Sequence, residues 1–270
     1  MSSNPSCIKV AAIQMNCTLG DRDANLVKAK QLVEQAIKSN AQLIVLPELF
    51  NTGYRVEERD IELAEPIPGP TTDWMKEIAE RFQVYMVGAI LESGESSGLV
   101  YDTAVIVGPE GLIGTYRKTH LWDQENVRFT KGNEFPVYIT PLANIGLQIC
   151  YEVGFPEGSR ILSLKGADIL IYPSAFGLPR LYAWDVATRS RALENGAYLI
   201  AANRTGIEKE ETVFAGHSRI VDPLGQVLAE AEQDDDVIVM EIDLQLVVKQ
   251  RRTIPYLRDL NRKLISEQYE

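Results

Sequence analysis

Short apolar runs alternate with amphipathic helical stretches along most of the chain, and this alternation restricts the fold more than any other feature. Residues 8–15 read as a buried strand. The spacing of Leu26, Ala29, Leu32, Val33, Ala36 and Ile37 predicts a helix over 23–39, and residues 43–46 form an apolar strand stopped by Pro47. Trp74, Met75, Ile78, Ala79 and Phe82 mark a second helix, followed by a strand at 84–91. The runs 101–107 and 112–116 flank Gly108-Pro109-Glu110-Gly111, and 218–221 and 226–228 flank Asp222-Pro223-Leu224-Gly225. Pro at the second turn position and Gly at the fourth suit a type I turn, so both read as hairpins. Strands at 144–150, 168–172, 197–203 and 237–242 and helices at 156–165 and 180–195 continue the pattern. From about residue 245 the chain reads as a charged tail wrapping a surface.

One segment repeats in kind. Ala41 to Glu48 (AQLIVLPE) resembles Ala167 to Ser174 (ADILIYPS): each follows a helix and ends strand, proline, polar residue. Two similar halves suit a layered α/β domain mixing parallel and antiparallel neighbours. No low-complexity linker divides the 270 residues, which read as one domain able to bury roughly three-quarters of its unfolded-chain surface.

Charge narrows the function classes. With 27 basic and 38 acidic residues the net charge is −11, which disfavours nucleic-acid and anionic-membrane partners. No apolar run approaches membrane-span length, and the short polar start at 1–5 does not read as a secretory signal. Three cysteines, an odd number without a C-x-x-C pair, suit a reducing cytoplasm rather than a disulfide framework. Two histidines without metal-ligand spacing, and no nucleotide-binding glycine loop, predict neither metal nor cofactor.

Three residues at or just past strand ends carry the chemistry. Cys150 precedes Tyr151-Glu152-Val153-Gly154-Phe155-Pro156-Glu157, at the strand end where α/β proteins bind ligands. Taken singly, a cysteine most often just packs, and Cys7 and Cys17 are read that way. Glu48 follows Leu46-Pro47, and Lys118 lies in Tyr116-Arg117-Lys118-Thr119-His120-Leu121-Trp122. Alone, the first suits a helix cap or loop salt bridge and the second a snorkelling surface lysine. Together they supply a nucleophile, a base to take its proton, and a cation that, with the Tyr151 N–H, can face an oxyanion.

With Leu46-Pro47-Glu48-Leu49-Phe50 and Gly53-Tyr54, the lysine segment, and Ile149-Cys150-Tyr151-Glu152, the chain resembles the nitrilase (carbon–nitrogen hydrolase) superfamily over nearly its whole length. The resemblance implies a four-layer αββα sandwich of two mixed sheets, a Glu48–Lys118–Cys150 triad and a thioester acyl-enzyme. It further implies a second glutamate near the site, a place occupied by Glu125, and a pocket near Tyr54, Ser174, Ala175 and Phe176. A homodimer or larger homo-oligomer is implied too, with the tail from about 245 on a neighbouring subunit. Amidase members often carry Asp two residues after the cysteine, where this chain has Glu152. Nitrile-cleaving members usually carry Trp-Glu, where it has Tyr151-Glu152. The expected reaction is hydrolysis of a small amide to acid and ammonia, with nitriles and N-carbamoyl amines as alternative substrates. Gly94-Glu95-Ser96-Ser97-Gly98 matches the serine-hydrolase G-x-S-x-G pattern but sits in a polar loop, not a strand–turn–helix setting. A non-catalytic binding protein on the same fold is the remaining alternative.

Overall fold

A computed structural model describes residues 5–96 and 98–268. Most of the polar N-terminus and Ser97 of the G-x-S-x-G match therefore lie outside the described residues. The strands in chain order are β1 (Cys7–Gln14), β2 (Leu43–Val45), β3 (Tyr85–Ser93), β4 (Val100–Gly108), β5 (Gly111–Arg117), β6 (Val137–Ile139) and β7 (Asn144–Leu147). They continue with β8 (Ile169–Ser174), β9 (Tyr198–Asn203), β10 (Ile207–Glu208), β11 (Thr212–Val213), β12 (Arg219–Val221), β13 (Val227–Glu230) and β14 (Asp236–Asp243). The helices are α1 (Arg22–Lys38), α2 (Asp60–Leu63), α3 (Pro70–Phe82), α4 (Glu125–Arg128), α5 (Pro156–Leu164), α6 (Leu181–Asn195), α7 (Gln245–Thr253), α8 (Tyr256–Asp259) and α9 (Arg262–Gln268).

Two six-stranded sheets result, in the orders β14-β1-β2-β3-β4-β5 and β6-β7-β8-β9-β12-β13. Read in those directions, both pair antiparallel, parallel, parallel, antiparallel, antiparallel. β2 and β8, the two echoing segments, hold equivalent places, so the repeat is architectural. Between the sheets, Val10, Ala12, Leu43, Val45, Val87 and Ile106 join residues of β7, β8 and β9 in one core. The alternate residues of the first sheet, Ala11, Ile13, Ile44, Met86 and Val105, face the other way onto Ala29, Val33 and Ala36 of α1 and Met75 and Ala79 of α3. The side-chain period of two makes each strand serve both layers. α5 and α6 cover the second sheet, with Leu162, Trp184 and Ala192 in its core. The architecture is the expected α–β–β–α sandwich. No helix among the described residues is long and apolar enough to cross a membrane.

Two expectations need correction, and two further readings gain detail. The strand read as 144–150 stops at Leu147, because Glu152 captures the Ile149 N–H at 2.8 Å and Cys150 turns to φ +46°. Residues 245–253 are helical and anchored on their own chain. Val247 and Gln250 are buried, and Arg251 Nη2 donates to the Ala167 carbonyl at 2.6 Å. Cys7 is exposed rather than packed, while Cys17 is buried. Ser96 is exposed in the β3–β4 connection, in keeping with the polar-loop reading of the G-x-S-x-G match.

Candidate active site

Four chain segments converge on one buried ammonium. Pro47 ends β2 and delivers Glu48, whose backbone N–H reaches the Ser174 carbonyl in the facing sheet at 3.4 Å. Lys118 follows β5 and is fixed by its backbone N–H to the Asp102 carbonyl at 2.9 Å. Its Nζ donates to Glu48 Oε1 at 2.6 Å and to Glu125 Oε1 at 2.9 Å, and lies 3.3 Å from Asp102 Oδ2. The Glu48, Asp102 and Lys118 side chains are fully buried. Burial alone would strip the lysine proton, but Glu125, Glu48 and Asp102 outweigh it and raise the Lys118 pKa well above its ordinary value. Carboxylate oxygens of Glu48, Asp102 and Glu125 approach closely enough to hold a cation, and the Lys118 ammonium is that cation.

Glu125 opens α4 and is held on three sides. The Tyr54 hydroxyl donates to Oε1 at 2.6 Å, the Trp122 N–H donates to Oε2 at 2.8 Å, and Lys118 is the third partner. Tyr54 is placed in turn by Glu208, whose carboxylate accepts from the backbone N–H groups of Tyr54 and Arg55 at 2.8 to 3.2 Å. The preceding Gly53 has φ +82°, and a Cβ there would lie 2.8 Å from Glu208 Oε1, so this approach needs glycine.

Cys150 starts the short 3₁₀ turn Cys150–Gly154 in the left-handed region, which costs a non-glycine residue about 1–3 kcal/mol. Glu152 holds that turn. Its Oε1 accepts from the Tyr116 hydroxyl at 2.7 Å, the Thr119 N–H at 2.9 Å and the Thr119 hydroxyl at 2.6 Å, and Oε2 takes the Ile149 N–H. Burial would raise the Glu152 pKa, but these donors and His120 bring it below the usual carboxylate value. One carboxylate thus ties the lysine segment to the cysteine turn, a linkage that explains why a longer acid is accommodated at position 152.

The thiol meets opposing influences. Burial and Glu48 push the Cys150 pKa well above its ordinary value, against Lys118 and a hydrogen bond from the Ala175 backbone. The resting form is therefore the thiol, and a base must take its proton during attack. Alkylation by iodoacetamide should be slow at neutral pH and accelerate on the alkaline side of an ordinary cysteine. Rapid alkylation of Cys150 at pH 6, with a flat profile above it, would mean a resting thiolate instead.

Cys150, Tyr151, Tyr54, Glu125, Ala175 and Phe176 line one cavity of about 330 Å³, at the small end of the range for small-molecule sites. Ser174, expected there, does not line it: its hydroxyl donates to the Tyr172 carbonyl at 3.0 Å and is fully buried. Glu48 and Lys118 do not line the cavity; Lys118 contacts Glu125 of its wall and links it to Glu48. The sequence reading missed Asp102, Glu208 and Arg180. Asp102 is a single acid within the largely apolar run Tyr101–Val107, whereas Glu208 lies in the charged stretch Glu208-Lys209-Glu210-Glu211. Arg180 sits at the cavity wall, its guanidinium 4.4 Å from the Trp122 ring centroid and 5.6 Å from that of Phe176.

Comparison with known proteins decides the family, since the carbon–nitrogen hydrolase family model matches residues 9–252. The chain belongs to the carbon–nitrogen hydrolase family. Among relatives of this hydrolase, a nitrilase of Pyrococcus abyssi is 41% identical, covering 94% of this chain and 95% of its own. An omega-amidase of Xenopus tropicalis is 36% identical over 91% and 92% of the two chains. A solved carbon–nitrogen hydrolase of Helicobacter pylori G27 superposes with TM-score 0.91 at 31% identity, covering 97% and 98%. The membership agrees with the three motifs around Glu48, Lys118 and Cys150.

Proposed function

We propose that this hydrolase cleaves small linear amides to a carboxylic acid and ammonia through a thioester on Cys150. The observation that carries the reading is the Cys150 thiol lining a small-molecule cavity together with Glu125, which the buried Lys118 ammonium joins to Glu48. As Cys150 Sγ bonds to the amide carbon, Glu48 takes the thiol proton, and Lys118 with the Tyr151 N–H faces the oxyanion. The tetrahedral adduct expels ammonia with a proton returned from Glu48. Water then attacks the thioester carbon, with Glu48 again accepting a proton, and the adduct breaks its C–S bond to free the carboxylic acid as that proton passes to Cys150 Sγ. Glu125 orients Lys118 and, with Tyr54, the substrate nitrogen. The names of the omega-amidase and nitrilase relatives accord with amides and nitriles respectively.

Arg180 supports a narrower reading. No carboxylate of the described residues pairs with it, and it is half-buried against Trp122 and Phe176 at the cavity wall. A permanently charged guanidinium so placed suits an acyl chain ending in a carboxylate. The test is ammonia release from a panel of terminal amides with and without a distal carboxylate, alongside nitriles and N-carbamoyl amines. Arg180→Gln should lower kcat/KM about 10- to 150-fold for the acidic amides and leave neutral amides unaffected, as expected for one charge-assisted hydrogen bond. Preference for nitriles or carbamoyl compounds would overturn the substrate class. Equal losses on acidic and neutral amides would remove Arg180 from recognition.

Self-association belongs to the same proposal. On α6, Tyr182 and Val186 are 73% and 70% exposed, with Leu193 further along and Ile161 exposed on the neighbouring α5. A second copy of the chain packed on this apolar face, with the C-terminal helices at its edge, is the proposed dimer. Val186→Glu should convert a dimeric or larger wild type to monomer in light scattering; a monomeric wild type would remove the proposal. The cytoplasm is the proposed compartment, on the three unpaired cysteines.

A further inference from the structure

The cluster around Lys118 contains one acid more than the reaction uses. Asp102 enters from β4 with a fully buried side chain, and neither of its oxygens has a hydrogen-bond donor among the described residues. Its nearest cation, Lys118 Nζ, is 3.3 Å away and already gives shorter contacts to Glu48 and Glu125. Glu48 Oε2 is likewise without a donor. Three carboxylates and one ammonium, all ionised, would leave two uncompensated negative charges in a site closed to water, and such a site takes up a proton instead. Glu125 has three donors of its own and Glu48 has the shortest lysine contact, so Asp102 is the least stabilised as an anion. A single proton on Asp102, directed at Glu48 Oε2, gives both orphaned groups a partner.

We propose that Asp102 is protonated at neutral pH and donates a hydrogen bond to Glu48 Oε2, keeping the Glu48 carboxylate ionised and turned toward its work on Cys150. Asp102 is a positioning residue; it lies behind Glu48 and does not line the substrate cavity. Burial and the Glu48 charge push its pKa well above the carboxylate range, with Lys118 opposing and Glu125 adding to the rise. These groups, from β2, β5 and α4, are the charges that face it. The kinetic part rests on Glu48 being the proton acceptor in turnover, whereas the protonation can be read without turnover.

The decisive readout is the infrared band of a protonated carboxyl, recorded on the intact protein at neutral pH. The band should be present in wild type and in Cys150→Ala and absent in Asp102→Asn. A wild type without it, or a band that survives Asp102→Asn and so resides on Glu48, overturns the proposal. Kinetics supply the second arm. Asp102→Ala orphans Glu48 Oε2 and should lower kcat about 5- to 150-fold with little change in KM. In Asp102→Asn the amide keeps its oxygen near Lys118 and can donate its N–H to Glu48, so most of that loss should be recovered. An asparagine variant that folds and loses as much kcat as the alanine variant would contradict the hydrogen bond. Should no amide be turned over at all, the substrate reading fails while the infrared result still decides the protonation.

Discussion

Cys150→Ala is expected to release no measurable ammonia from amides that the wild type hydrolyses, with a Tm within a few degrees of wild type. Loss of a nucleophile that acts as a unit with its base costs on the order of 10⁶-fold in kcat. Alanine retains the Cβ and the left-handed backbone at position 150, and Glu152 still holds the turn, so the fold has no reason to change. The other cysteines provide the comparison. Cys7 is exposed at the start of β1, remote from the cavity lining, and Cys7→Ser should keep full activity. Ser96→Ala should do the same, because Ser96 lies in the β3–β4 connection. Activity retained in a folded Cys150→Ala protein would return attention to those residues.

Glu48→Gln should be nearly as damaging, and in a manner that separates it from the lysine. Each positioned proton transfer contributes about 10²–10⁴-fold, and Glu48 is assigned one in acylation and another in deacylation. The amide preserves the shape and can still accept from Lys118 at 2.6 Å, but it cannot take a proton. A fall of about 10⁴-fold or more in kcat, with substrate affinity retained, is the expected outcome of steady-state ammonia assays. Lys118→Met removes one oxyanion partner, worth about 10²–10³ in kcat. It also leaves Glu48, Asp102 and Glu125 without their cation, which should lower Tm as well. Near-normal kcat in Glu48→Gln would assign the base elsewhere, with Glu125 first. A Lys118→Met variant raised only in KM would make the lysine a substrate-binding group.

The motifs made Glu48, Lys118 and Cys150 legible because all three follow strand ends, where the sheet fixes direction and the loop fixes reach. Glu125 was legible only through the family resemblance, which implies a second glutamate near the site, and nothing in the sequence says that Tyr54 and Trp122 hold it. Asp102 was hidden by its setting. A single acid in Val100–Gly108 could face solvent on an alternating strand, and its partners come from far earlier and somewhat later in the chain. The end of β7 was misplaced by three residues because Gln148-Ile149-Cys150 continues an apolar run. The competing hydrogen bond, from the Ile149 N–H to the Glu152 side chain three residues on, is a local side-chain contact that a periodicity argument does not register. The family resemblance placed Ser174 near the pocket with its neighbours; Ala175 and Phe176 line the cavity, while the Ser174 side chain turns back onto Tyr172. The layered α/β domain with mixed strand neighbours followed from the alternation of elements and from the echo between β2 and β8, while the four-layer sandwich was what the family resemblance implied.

The most direct test of the covalent route is the partition of the acyl group between water and added hydroxylamine. If amide and ester of the same acid pass through one thioester on Cys150, the ratio of hydroxamate to free acid depends only on that common intermediate. The account predicts the same ratio from both substrates at every hydroxylamine concentration, while their overall rates differ. Ratios that differ with the leaving group would contradict it, because water would then be attacking the substrate without a shared acyl-enzyme.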